Sequence, residues 1–171
     1  MTQNSTYYSH RHYDGLLSAI SIGFFLILIG GLFVTTSGLA TNVVNFLSHF
    51  KVVPIPNTNA NIPSPDNLAA YLDVYTAARQ FSLIWGVFLI AMLGARFILN
   101  SPLRRKAQNV GDIAFWLGAT YAIQVFLVVP TQQLTITVTD WVVFWAAIVM
   151  IIGISLIARA IFLAIAAERR A

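Results

Sequence analysis

Long apolar runs alternate with polar segments along this chain, and the four longest runs determine its class. Each is about as long as the ~18 apolar residues that cross a bilayer as a helix, and no central turn carries a charge. Backbone polar groups inside a bilayer need internal hydrogen bonds, so such runs must be helical. The pattern predicts an all-α integral membrane protein with four transmembrane helices in an antiparallel bundle, at residues 16–37, 81–99, 112–129 and 141–165.

The first outer connection, residues 39–80, is long and has helical spacing of its own. Its apolar positions recur with helical spacing at Leu39, Val43, Phe46, Leu47 and Phe50, and again at Leu68, Leu72 and Tyr75. Ser64-Pro65-Asp66 has the order of a helix start, since Ser is a favoured N-cap and Pro suits the next position. We therefore expect helices 1 and 2 to extend beyond the membrane on the outer side as a helical hairpin joined by a Pro- and Asn-rich loop. The alternative is that both extensions lie flat in the interface.

The second outer connection, residues 130–140, is short. Residues 134–139 alternate between apolar residues and threonine, which favours a strand or an ordered extended loop. The nearest pairing partner is the external segment at residues 52–55. Thr139-Asp140 is the expected cap of the fourth helix, with Trp141 and Trp145 as anchors at the membrane interface.

Composition and charge agree with a membrane protein. Charged residues make up 9% of the chain, against about 25% in soluble domains. If the N-terminus is cytoplasmic, most basic residues fall on the inner side, notably Arg104, Arg105 and Lys106, whereas Lys51 and Arg79 fall outside. This distribution predicts cytoplasmic N- and C-termini, most simply in the cell membrane, and explains the net charge of +4 without nucleic acid as a partner.

No motif for catalysis or cofactor binding stands out. The chain has no cysteine, which excludes disulfides and thiolate metal sites, and none of the predicted spans contains histidine, which excludes a bis-histidine haem in the bundle. There is also no phosphate-binding glycine loop and no Ser/His/Asp set. We therefore predict no catalytic residue, no cofactor and no metal site.

Four charged residues are predicted near the inner boundary, one from each helix: Asp14, Arg96, Asp112 and Arg159. Two acids and two bases at one depth could form a ring that closes a pore or binds an ion. The simpler explanation is the helix dipole, with the acids at helix starts and the arginines at helix ends.

Gln124 is the most polar side chain deep in any predicted span, and it shares a helix face with Trp116 and Thr120. This face could line a pathway, or Gln124 could form a hydrogen bond to another helix, and we expect no ionisable side chain beside it. Small residues at close spacing predict helix–helix contacts, within the chain or between subunits, at Gly86, Ala91, Gly94, Ala95, Ala114, Gly118 and Ala122.

The sequence favours a protein that acts by contact. We expect a non-enzymatic structural or accessory subunit of a membrane assembly, or a homo-oligomer, whose partners are the lipid bilayer and other membrane chains. The alternative is an oligomeric channel or pore lined by the inner charges and the Gln124 face. A membrane-embedded lipid or quinone enzyme is a third hypothesis, weakened by the lack of catalytic groups.

Overall fold

A computed structural model describes the backbone of residues 4–99 and 101–168, and the side chains of residues 15–99 and 101–166. It confirms four helices that are long and apolar enough to cross a membrane: Gly15–Thr35, Leu68–Ile98, Leu103–Gln132 and Val138–Ala166. The second and third of these begin well before the apolar runs from which they were predicted, because each continues past its run with more polar turns.

The first span and the short outer helix after it are separate helices. α1 covers Asn4–Thr35 and α2 covers Leu39–Ser48, and Gly38 between them has a φ of 73°. Glycine reaches this left-handed conformation without the steric strain of a side chain, so the chain can change direction there. The helix predicted after residue 39 is present, but it does not continue the first span, and it ends before Phe50.

The segment predicted as a Pro- and Asn-rich loop is a β-hairpin. β1, Phe50–Pro54, pairs antiparallel with β2, Asn61–Pro65, in the register that sets Phe50 opposite Pro65. Both strands of a two-stranded sheet are edge strands, so proline can occupy positions where the N–H is not needed for pairing. The prolines exclude a helix here, as the sequence indicated, but they do not exclude a strand.

The helix start predicted at Ser64-Pro65-Asp66 is wrong. The first two of these residues belong to β2, and a 3-10 turn, Leu68–Tyr71, leads into α3, Leu72–Ile98. The side chain of Asn67 caps the turn by accepting a hydrogen bond from the backbone N–H of Ala69 at 3.2 Å. The second arm of the predicted helical hairpin therefore begins at Leu68 rather than at Pro65, and it continues as helix into the span.

The third span is a continuous helix with one wide turn. α4, Leu103–Ile123, passes into a π-helical turn, Gln124–Val128, and then into α5, Val129–Gln132. Pro130 has no N–H to donate to the preceding turn, and its ring crowds the carbonyl there, which favours a wider turn just before it. Gln124 therefore lies where the helix changes geometry.

Residues 134–139, predicted as a strand or an ordered extended loop, form a turn and a short irregular segment as far as Thr137 and then enter α6, Val138–Glu168. The N–H and the hydroxyl of Thr137 both donate to the carboxylate of Asp140 at 2.8 Å, and the N–H of Asp140 donates to the Thr137 hydroxyl at 3.3 Å. This reciprocal pair is a capping box, so Thr137 is the cap and Thr139 lies inside the helix. The strand prediction is wrong because this local capping outweighs the strand preference of alternating threonines.

Aromatic packing joins the outer elements to the spans. Trp141, predicted as an anchor at the membrane interface, is only 3% exposed, and its indole N–H donates to the backbone oxygen of Pro63 at 3.0 Å. Phe46 of α2 packs edge-on against Tyr75 and Trp141, with ring centroids 6.1 and 6.4 Å apart. Trp145 is exposed, and its place at a membrane interface stays a prediction. We call this end of the molecule, with α2, the hairpin and the start of α6, the loop end.

The opposite end, which carries the link between α3 and α4, is the link end. There Arg96 donates from Nη1 to the backbone oxygen of Arg105 at 2.9 Å, and Phe97 packs against Phe162 of α6. Lys106 is buried, with its Nζ 4.6 Å from the centre of the Phe97 ring. These contacts tie the end of α3 to the start of α4 and to α6.

Two glycines lie at close contacts between helices. A Cβ added to Gly86 of α3 would lie 2.8 Å from Cδ2 of Leu117, and one added to Gly118 of α4 would lie 2.8 Å from Cγ2 of Ile151. Small residues allow helices to approach closely where lipid supplies no hydrophobic driving force. These two predicted contact positions therefore serve packing within the chain, whereas a Cβ on Gly94 would meet nothing within 4 Å.

Candidate functional site

The four charged residues predicted near one boundary do not share one kind of position. Arg96 lies in the last turn of α3, as the helix-dipole explanation requires. Asp112 lies more than two turns into α4, and Arg159 lies more than two turns before the end of α6. The backbone of Asp14 lies inside α1, well after its start at Asn4, and its side chain is outside the described residues. The dipole effect fades within a turn, so it explains Arg96 alone.

Three of these residues meet at the link end. The carboxylate of Asp112 interacts electrostatically with the guanidinium groups of Arg159 and Arg96. These interactions act over a longer distance than an ion pair. Among the described residues, the ion pair within 4.0 Å is that of Lys51 with Asp66 at the loop end, at 3.6 Å. The structure thus brings together part of the predicted ring, within one chain and at one end of it.

A polar cavity of about 220 Å³ lies beside Asp112, between α1, α3 and α4. Asn109 is 4% exposed, and its amide nitrogen has no hydrogen-bond partner. A buried amide without a partner is unfavourable, so the cavity suits a small polar molecule that accepts from Asn109. Asn109 could not be singled out from the sequence, because a lone Asn in the polar first two turns of a helix carries no distinctive signal. The cavity's polar lining consists of Ser18, Ser21, Arg96, Arg105, Gln108, Asn109 and Asp112.

At the loop end, Gln124 is joined to a residue that the sequence analysis placed outside the membrane. Its Oε1 accepts a hydrogen bond from the guanidinium of Arg79, which is partly buried in α3 within the candidate span Leu68–Ile98. The expectation that no ionisable side chain accompanies Gln124 is therefore wrong. Arg79 was missed because the apolar run was counted from residue 81. The helical spacing from Leu68 onward was the signal that places it inside the helix.

The other members of the Gln124 face are also engaged within the chain. The hydroxyl of Thr120 donates to the backbone oxygen of Trp116 at 2.9 Å, and the Trp116 ring packs edge-on against Phe81 of α3 at 5.5 Å. This face is turned toward α3. Such contacts are those of a packing surface between two helices.

An apolar groove of about 370 Å³ opens at the loop end, between α2, α3, α4 and α6. Tyr75 lines it and is 3% exposed, and its hydroxyl has no hydrogen-bond partner. The other walls include Phe46, Leu127, Trp141 and Trp145. The groove has the chemistry to take up an apolar chain.

Among the described residues, no three His, Asp or Glu side chains lie close enough together to bind a metal ion. Comparison with known proteins adds no functional assignment: no family model matches the chain, and no curated protein or solved structure is significantly similar to it.

Proposed function

We propose that this chain is a non-enzymatic integral membrane protein that acts through helix packing and its outer surface. It serves as a structural or accessory subunit of a membrane assembly, or forms a homo-oligomer. We place it in the cell membrane with both termini cytoplasmic, because the link end carries the cluster of Arg104, Arg105 and Lys106, and basic residues favour the cytoplasmic side. In this orientation the loop end faces outward.

The observation that supports an assembly is the unpartnered face of α1. On one side α1 meets α3, where Phe24 stacks on Phe88 with ring centroids 4.1 Å apart and where Leu17 and Leu28 are buried. The helix repeat puts a row of small residues on the opposite side. A Cβ on any glycine of this row would meet nothing within 4 Å, so a second helix could approach closely. The row consists of Gly15, Ala19, Gly23 and Gly30.

Bulk added to this row tests the proposal. Gly30→Leu should prevent close approach of a second helix, whereas Gly31→Leu adds the same side chain about 100° around the helix. Neither glycine has a neighbour within 4 Å, so both variants should keep the fold of the single chain. We expect native mass spectrometry of the extracted protein to show that Gly30→Leu loses the assembly and that Gly31→Leu retains it.

Two results would contradict this proposal. One is that both variants assemble to the same extent as the wild type, which would show that this face of α1 is not part of the interface. The other is a wild-type particle that is a monomer of 18.8 kDa, without any other polypeptide, in lipid nanodiscs as well as in detergent. That second result would rule out assembly as the mode of action.

The polar cavity beside Asp112 favours a second candidate function, an oligomeric channel. The walls of the cavity come from the candidate spans Gly15–Thr35, Leu68–Ile98 and Leu103–Gln132, and they include the Asp112 carboxylate and the buried amide of Asn109. If it forms part of a pathway, Asp112→Asn should change ion flux into proteoliposomes while thermal stability stays close to that of the wild type. Absence of flux in wild-type proteoliposomes would exclude this alternative.

A further inference from the structure

A second cavity at the link end, of about 440 Å³, has a strongly basic wall. It lies between α4, which contributes Arg104, Arg105 and Gln108, and α6, which contributes Arg159. None of these three arginines takes part in an ion pair of the described residues. We call this site the arginine cavity. Asp112 interacts electrostatically with Arg159 but does not line the cavity, so the three guanidinium groups in its wall attract a further anion.

The start of α4 adds to the positive potential of the arginine cavity. α4 begins at Leu103, and its N-cap is Pro102, whose side chain cannot accept a hydrogen bond from the first N–H groups. The N-terminus of a helix carries a partial positive charge, so Arg104 and Arg105 in the first turn are electrostatically unfavourable by themselves. A bound anion relieves both the uncapped N–H groups and the repulsion between these cations.

Guanidinium groups bind phosphate through paired, charge-assisted hydrogen bonds, and several together prefer phosphate to a single carboxylate. The surface next to the arginine cavity indicates the source of that phosphate. Leu156 and Ile152 lie about one and two turns from Arg159 on the same side of α6, and they are 59% and 43% exposed. Acyl chains can lie along this apolar strip while the headgroup occupies the cavity.

We propose that the arginine cavity binds the phosphate of an anionic phospholipid, with the acyl chains along α6. Basic pockets between transmembrane helices on the cytoplasmic side are suited to such headgroups. Arg159 and Arg105 are the main contacts, because they approach the cavity from different helices and so close it on two sides. The lipid would hold α4 and α6 together at the link end.

The test compares phosphatidylglycerol with phosphatidylcholine on the full chain. Native mass spectrometry in nanodiscs of defined composition counts the lipids retained by wild type, Arg105→Gln and Arg159→Gln. We expect the wild type to retain phosphatidylglycerol in preference to phosphatidylcholine. In each variant the ratio of the two retained lipids should fall about tenfold. Lys51→Gln is the matched control, because it also removes one positive charge, but from the loop end. It should retain the full preference.

Further arms make the result decisive. Arg159→Lys keeps the charge but not the paired hydrogen bonds, so we expect an intermediate preference, and this variant also serves if Arg159→Gln does not fold. An equal loss in Lys51→Gln would overturn the proposal, since the effect would then be one of overall charge. Displacement of phosphatidylglycerol by glycerol phosphate, which has no acyl chains, would overturn the lipid as occupant and assign the cavity to a soluble phosphate compound.

Discussion

Gln124 lies at the start of the π turn, and the guanidinium of Arg79 donates a hydrogen bond to its side chain. A cation partly buried among helices needs an acceptor, because an unsatisfied charged group is more unfavourable there than in water. A hydrogen bond to a charged group contributes about 1.5–3 kcal/mol. At the scale of single residues, this bond gives Gln124 a structural role that its own helix face does not predict.

Gln124→Leu should therefore lower the free energy of unfolding by about 1.5–3 kcal/mol, because Arg79 loses its acceptor. In the double variant Arg79→Met/Gln124→Leu we expect a smaller loss than the sum of the two single variants, since neither polar group remains unpaired. Thr120→Val is the control, because the Thr120 hydroxyl bonds within its own helix. Thermal unfolding in one detergent compares the two single variants, the double variant and Thr120→Val with the wild type. Additive losses would show that the two residues are not coupled.

Two glycines of neighbouring helices should respond to the same substitution with opposite signs. A Cβ at Gly118 would lie 2.8 Å from Cγ2 of Ile151, a β-branched side chain with few alternative rotamers, whereas a Cβ at Gly153 would meet nothing within 4 Å. We expect Gly118→Ala to destabilise by about 1–3 kcal/mol through overpacking. Gly153→Ala should stabilise by up to about 1 kcal/mol through helix propensity. Equal effects in thermal unfolding would contradict the close contact between α4 and α6.

At the scale of elements, capping decides where the helices begin. The sequence offers several Ser, Thr and Asn residues before apolar runs, and each is an acceptable cap by composition. The structure selects Asn67 and Thr137, while Ser64 pairs in β2 and Thr139 lies inside α6. The choice depends on which residue can reach a free N–H or carboxylate, and that is a property of the folded chain.

Thr137→Ala should destabilise the protein by about 0.5–2 kcal/mol, the usual effect of removing an N-cap side chain. Thr139→Ala should change stability by less than about 0.5 kcal/mol, because its exposed side chain lies past the cap. Unfolding measured by circular dichroism in detergent compares the two. A larger loss in Thr139→Ala would restore the helix start that the sequence predicted.

At the scale of the whole molecule, the positions of the two ends relative to the membrane remain a prediction from the basic residues. The chain has no cysteine, so single cysteines can report each end without background labelling. Asn59, in the exposed turn between β1 and β2, marks the loop end, and Gln108, exposed in the early part of α4, marks the link end.

In intact cells we expect a membrane-impermeant thiol reagent to label Asn59→Cys and not Gln108→Cys, because clustered basic residues such as Arg104, Arg105 and Lys106 favour the cytoplasmic side. Permeabilised cells supply the control, in which both positions should react. Labelling of Gln108→Cys alone in intact cells would invert the topology, and the anionic lipid at the arginine cavity would then have to come from the outer leaflet.

The sequence by itself determined the membrane class and the four spanning helices, because about 18 consecutive apolar residues leave the backbone of a lipid-embedded chain one stable conformation. It also indicated the helix after Leu39. Only the folded structure showed that the Pro- and Asn-rich segment at residues 50–65 forms a β-hairpin. It alone also showed that Arg79 bonds to Gln124 and that three arginines line one cavity. The Arg79–Gln124 bond and the cavity join residues far apart in the chain, and the hairpin depends on a pairing register between two strands. Local periodicity carries no information about which of these residues become neighbours.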